Sequence, residues 1–287
     1  MRMLTALVAA LTAVSLSAQT SLIDQGRAAL VRGDADAAVE LYEKAVAQTP
    51  NSAEAHYGLG GAYGTKAQRS GMFSAAMLAV KTKAEFEKAV SLNPNYLEAR
   101  FGLVEFYAIA PGFMGGSFDK AFEQAQEIKK RDPLMGHRAY SFVYSQQKKP
   151  ELAKKEYLDG IREQPNAPKA HSFYGQYLAN VEKNYKTAFE EFETALKIDP
   201  SYTAAWYHIG RTAGTSGTNL ARGEETLKKY VAYTPKENEP TIAGAHYWLG
   251  AIYEKQGRLG DAKQSYQTAL KLNPSLKQAS EALKRVS

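Results

Sequence analysis

The sequence predicts an all-α fold built by stacking helix–turn–helix pairs, and three observations carry that prediction. Small and aromatic residues recur at helical spacing, as Gly250 and Tyr253 do before the break at Gly257 and Ala262, Tyr266 and Ala269 do after it. The same order returns about every 34 residues and closes each time on a proline, at Pro50, Pro94, Pro133, Pro165, Pro200, Pro235 and Pro274. No stretch has the strict apolar–polar alternation of a half-buried strand.

Residues 244–274 give the clearest copy. His246, Leu249, Gly250 and Tyr253 share one helix, and Ala262, Tyr266 and Ala269 share the next. The spacing L-G-x-x-Y, then A-x-x-x-aromatic-x-x-A, then P, closely resembles the tetratricopeptide repeat family. The resemblance implies a right-handed α-solenoid with a concave face lined by the first helix of each repeat. Seven repeats are expected, at about 19–52, 53–96, 97–133, 134–166, 167–200, 201–240 and 241–274, all in one solenoid domain. Residues 275–287 read as a capping helix, with Leu276, Ala279 and Leu283 on one face, since the last repeat would otherwise leave an apolar face in water.

Before the repeats, Arg2 precedes an uncharged apolar run from Leu4 to Val14, and Ser15 to Ala18 supplies small residues for cleavage. Residues 1–18 therefore read as a secretory signal, too short for a convincing membrane span, with a retained anchor as the alternative. Export to a bacterial periplasm or medium is expected, with no stable membrane insertion after cleavage. There are no cysteines, so disulfides and thiolate chemistry are excluded. The net charge of +6, from 36 basic and 30 acidic residues, lacks the clustering of a nucleic-acid binder.

Taken in order, the first repeat turns at Gly33, and Asp34 or Asp36 can cap its second helix. The second repeat carries extra residues between Lys66 and Lys83, so its second helix is expected to start near Met72 and run about three turns long. In the third, Pro111 ends the first helix, glycines at 112, 115 and 116 permit left-handed backbone, and Ser117 caps the next helix. The fourth has template length, and the fifth carries His171, Tyr174, Gly175, Ala188, Phe192 and Ala195. The sixth opens into a Gly/Thr/Ser stretch at 214–219.

No catalytic constellation appears, and a non-enzymatic chain without cofactor or metal is expected. His56, His137, His171 and His246 occupy the fourth position of their first helices, where Trp206 stands in the sixth repeat. They recur because the repeat recurs, whereas zinc ligands must converge on one ion. Helical Glu residues pair with Lys three or four places away, as Glu40 with Lys44, which is surface chemistry. Gly115-Gly116-Ser117 could offer N–H groups to an anion or form a plain tight turn.

Binding is the expected role. Transferring the family's ligand-facing positions gives Arg27, Tyr57, Phe101, Glu105, Arg138, Phe142, Gln176, Tyr207, Arg211 and Tyr247 for the groove. Position nine holds Arg27, Gly61, Glu105, Phe142, Gln176, Arg211 and Ala251 with no Asn, so the clamp for a chaperone's C-terminal carboxylate is not expected. Phe73 and Met77, on the overhang at 72–80, and Phe113 and Met114, in the loop, are further partner-binding candidates; the overhang either protrudes or folds back on its neighbour. The loop resembles a turn of exported bacterial tetratricopeptide proteins. A scaffold of the cell envelope that binds a protein or peptide partner is expected. An accessory oligomeric subunit of a periplasmic transport or small-ligand capture system is the alternative.

Overall fold

The structure, a computed structural model, describes residues 22–236 and 239–287. The signal read at residues 1–18 lies outside them. Residues 22–31 form helix α1, followed by α2 (Ala35–Gln48), α3 (Ala53–Ala67), α4 (Met72–Leu92), α5 (Leu97–Ile109), α6 (Phe118–Lys129) and α7 (Pro133–Gln146). Then come α8 (Pro150–Glu163), α9 (Pro168–Tyr177), α10 (Tyr185–Ile198), α11 (Thr203–Ser216), α12 (Leu220–Val231), α13 (Ile242–Lys255), α14 (Leu259–Leu272) and α15 (Lys277–Arg285). No strand occurs among the described residues. The chain groups into two compact units, one ending at Gln147 and holding α1–α7, the other beginning at Lys148 and holding α8–α15.

Local chemistry sets the helix starts. The side chains of Asp34, Ser52, Ser117, Asp132, Asn184 and Thr241 each accept an N–H from the first turn that follows. Each such cap is worth about 1 kcal/mol. Asp34, not Asp36, caps α2, through the amide of Ala37 at 3.0 Å.

Packing follows one rule in both units: an aromatic or leucine on a second helix fills the space left by glycine on a first helix. Tyr42 lies against Gly26 and Gly58, and Phe86 against Gly60 and Gly102. In the second unit Phe192 meets Gly175, Leu227 meets Gly210 and Tyr266 meets Gly250. A methyl group at Gly58 would stand 2.1 Å from the Tyr42 ring. The small residues are therefore required by close packing.

The fourth-position side chains form ties between loop and helix. His56 sets Nε2 2.9 Å from the Pro50 carbonyl and Nδ1 2.6 Å from Glu85. His171 repeats this with the Pro165 carbonyl at 3.1 Å and Glu191 at 2.7 Å. Arg100 occupies the same position: its Nε donates to the Pro94 carbonyl at 2.8 Å and Nη1 to Gln124 at 2.9 Å. The sequence pattern picked out the histidines and missed Arg100, whose different chemistry performs the same task.

Three expectations change. The stretch at 214–219 is not an open loop: α11 continues to Ser216, and only 217–219 turn, with Gly217 and Asn219 at positive φ. The overhang of α4 does not fold back, because Met72 and Phe73 are 92% and 80% exposed. Gly115-Gly116-Ser117 offers nothing to an anion. Its three amides donate to the carbonyls of Gly112, Pro111 and Tyr107. The loop is drawn so tight that a Cβ at Gly116 would lie 1.7 Å from the Ala110 oxygen. An unexpected π-helical turn, Leu178–Glu182, extends α9 and ends at Lys183 with φ 56°.

Candidate functional site

In the first unit, α3, α5 and α7 are the first helices of three repeats, and they bring together most of the groove residues expected there. Tyr57 on α3 is half-buried, its ring 5.7 Å from Phe86 and 4.8 Å from Tyr96. Phe101 on α5 lies 6.1 Å from Phe142 on α7. The guanidinium of Arg138 stands 4.8 Å above the Phe101 ring, a cation–π geometry. Arg27 on α1 is instead engaged with Asp24 at 2.8 Å and Glu54 at 3.0 Å.

Beside this aromatic surface, an open cleft of about 470 Å³ lies between α3, α4 and α5. On α3, Gly60, Gly61 and Gly64 leave part of the wall without side chains, beside Thr65 and Ala67. Thr82 and Phe86 on α4, Gly102, Glu105 and Ile109 on α5, and Met114 of the loop also line it. A Cβ at Gly61 would meet nothing within 4 Å, so the space is present because the side chain is absent.

Among the described residues, Glu105 is the one charged residue lining the cleft. Its side chain is exposed, yet it stands in a concave wall crowded by protein atoms. That desolvation raises its carboxyl above the usual carboxylate range, and the charge of Arg138 opposes the rise. Among the described residues nothing hydrogen-bonds to it. At the rim, Ile109 is 63% exposed and Phe113 90% exposed. Met114 lines the cleft, while Phe73 and Met77 stay exposed on the overhang.

In the second unit the expected groove residues are more engaged. Tyr207 is buried, its ring 5.2 Å from Tyr230, so it serves packing rather than presenting a free face. Gln176 donates to Ser172 at 3.4 Å, and Arg211 to Asn180 on the π-helical turn at 3.0 Å. Tyr247 packs on Trp248 at 4.7 Å and Tyr266 at 5.9 Å. A polar cleft of about 500 Å³ includes Trp206, Lys197 and Arg222. Arg222 there is held bidentately by Glu193, at 2.7 and 2.9 Å, and by Glu225 at 2.8 Å. No group of His, Asp and Glu able to hold a metal occurs among the described residues. No helix there is long and apolar enough to cross a membrane.

The apolar cleft was not foreseen from the sequence. The available signal was the cluster Gly58, Gly60, Gly61 and Gly64 within one helix. Two of these, Gly58 and Gly60, admit packed rings; Gly61 and Gly64 leave room for something else.

The family resemblance is supported by two matches: the TPR repeat model over residues 26–66 and the tetratricopeptide repeat model over residues 243–276. No curated protein matches the sequence. Among solved structures, the chain is similar to a tetratricopeptide repeat protein from Parabacteroides merdae ATCC 43184. There the identity is 16%, with 94% of this chain and 99% of that one covered, at a TM-score of 0.50. It is also similar to a chain of the APC/C hetero-tetramer Cut9-Hcn1, at 16% identity and a TM-score of 0.51, covering 93% of this chain. A third likeness is to an IFIT1 monomeric mutant with Gppp-AAAA, at 17% identity and a TM-score of 0.52, covering 88% of this chain. The chain spans 48% of the matched Cut9-Hcn1 chain and 58% of the IFIT1 chain. These likenesses establish the fold class, an all-α solenoid of helix–turn–helix repeats. That fold suggests a protein–protein interaction scaffold; repeat proteins of this kind are generally non-catalytic.

Proposed function

We propose that this chain is a non-enzymatic scaffold of the bacterial cell envelope that binds a protein or peptide partner along the first-helix face of its repeats. The observation that carries the reading is the run of Tyr57, Phe101, Arg138 and Phe142 on successive first helices. Aromatic rings and Arg are the side chains that dominate binding energy at protein interfaces. Nucleic acid is disfavoured as partner by the dispersed charge. Export rests on the apolar run at residues 4–14 followed by small residues.

The test is photo-crosslinking in cells from position 142, with fractionation of the products. The expected result is a discrete periplasmic adduct that disappears in Arg138→Glu/Phe101→Ala. Adducts indifferent to that double change would remove the first-helix face from the proposal. Recovery of the uncleaved chain in the cytosol would remove the envelope assignment.

A further inference from the structure

The cleft between α3 and α5 has a chemistry of its own. Its walls are mainly apolar, with Thr65, Gln68 and Thr82 among them and one carboxylate that accepts no hydrogen bond from the described residues. Two cations of the same unit, Lys83 and Arg138, are engaged with other groups. Lys83 pairs with Glu87 at 3.3 Å and lies over the Phe106 and Tyr107 rings, and Arg138 lies over Phe101. An exposed carboxylate that lines a largely apolar cleft and accepts no hydrogen bond from the described residues is open to a charge-assisted hydrogen bond from a bound donor.

We propose that this cleft binds an extended peptide segment of the partner in which a Lys or Arg lies beside apolar side chains, the cation meeting Glu105 and the apolar groups entering the space beside Gly61 and Gly64. The assignment rests on the scaffold reading and names the partner's chemistry. It is opposite in charge to the acidic tail that a carboxylate clamp takes. Three observations select a peptide. The volume is that of a binding pocket for a few side chains. The cleft is open rather than enclosed. Ile109 in the lining and Phe113 beside Met114 in the loop are exposed apolar side chains, more apolar surface than a small amine covers. An anionic lipid surface is the wrong sign for Glu105, and a concave wall does not enter a bilayer.

Gly61 supplies a clean probe. It sits inside α3, at negative φ, with open space where a side chain would go. Gly61→Leu therefore plugs the cleft without meeting a neighbour at its first atom. The experiment selects from a displayed library of random peptides on the signal-free chain. It then measures the selected peptides against three variants by fluorescence anisotropy.

The expected outcome is enrichment of Lys or Arg next to Leu, Ile, Phe or Met. Gly61→Leu should abolish binding. Glu105→Gln should weaken it roughly tenfold, the loss expected for one charge-assisted hydrogen bond. Glu105→Lys should turn the selection toward Asp and Glu. Folding of each variant is checked by circular dichroism. Selected peptides without a cation, or binding that Gly61→Leu leaves intact, would overturn this assignment while the scaffold reading stands. Failure to select any peptide would overturn the scaffold reading as well. Sedimentation of the chain with phosphatidylglycerol vesicles, abolished by Phe113→Ala, would replace the peptide with a membrane surface.

Discussion

In the seventh repeat, Tyr266 fills the space beside Gly250 and its hydroxyl donates to Glu254 at 2.7 Å. Arg285 from the capping helix reaches the same carboxylate at 3.1 Å. In the second and third repeats, Phe86 fills the space beside Gly60 and Gly102 in the same way, but Glu105 nearby has no such partners. The first arrangement is closed and satisfied. The second keeps the packing and leaves a hollow. The template match at 243–276 falls on the closed version, whereas the match at 26–66 stops before α4 and the loop that frame the cleft. What makes the chain recognisable is therefore distinct from what makes it particular.

The strongest way to break this comparison is to remove the two equivalent rings. If both repeats share one packing logic, Phe86→Ala and Tyr266→Ala each cost about 3–5 kcal/mol in chemical denaturation. A much smaller loss for Phe86→Ala would mean that the second repeat is loosely built and its cleft an accident of poor packing.

The turns sharpen the contrast. Gly116→Ala places a methyl on the Ala110 carbonyl and is expected to cost about 3 kcal/mol, at the upper end of overpacking losses. Gly257→Ala, at φ 75° but with open space around it, is expected to cost about 1 kcal/mol, the backbone term alone. Equal losses at the two sites would show that the loop over the cleft relaxes easily and sets no fixed wall.

Helix boundaries were legible in the sequence because their causes are local. Asp34, Ser117 and the proline closing each repeat act within a turn of where they stand. The length of α4 was legible for the same reason, since no breaker follows Gly71 until Asn93-Pro94. The cleft was not, because absence forms it. Gly61 and Gly60 look alike as letters, yet one faces Phe86 and the other faces nothing. Tyr207 likewise falls at a groove position but is buried by Tyr230 from the next helix. Nor does spacing show how a carboxylate is paired: Glu254 gains a hydrogen bond from Arg285, 31 residues away, whereas Glu105 feels the charge of Arg138 without a hydrogen bond among the described residues.

Glycine replacement separates the two surfaces further, with a change of sign. Gly61→Ala is expected to stabilise by about 0.5–1 kcal/mol, since a helix interior favours Ala and the methyl meets nothing. Gly250→Ala, whose methyl would come within 2.5 Å of the Tyr266 ring, is expected to destabilise in the same assay. Destabilisation by Gly61→Ala would place an undetected neighbour in the cleft and shrink it.

The smallest effect is the most specific, because the two carboxylates are shifted in opposite directions. Hydrogen bonding by Arg285 lowers the carboxyl of Glu254 below its ordinary 4.5. The folded chain then binds that proton less readily than the unfolded chain. The stabilisation is present above 4.5 and is lost as pH falls through the lowered value. Desolvation raises the carboxyl of Glu105, so there the folded chain binds the proton more readily, and stability falls as pH rises from 4.5 through the raised value. Glu254→Gln should therefore lower the melting temperature at pH 7, with the deficit closing on acidification. Glu105→Gln should raise it slightly at pH 7, with the gain vanishing below pH 4.5, where both side chains are neutral. Occupation of the cleft by a cationic peptide would reverse the second sign, because the charged carboxylate would then be the favoured form. Thermal melts of Glu105→Gln with and without the selected peptide, at pH 7 and below 4.5, read that reversal directly.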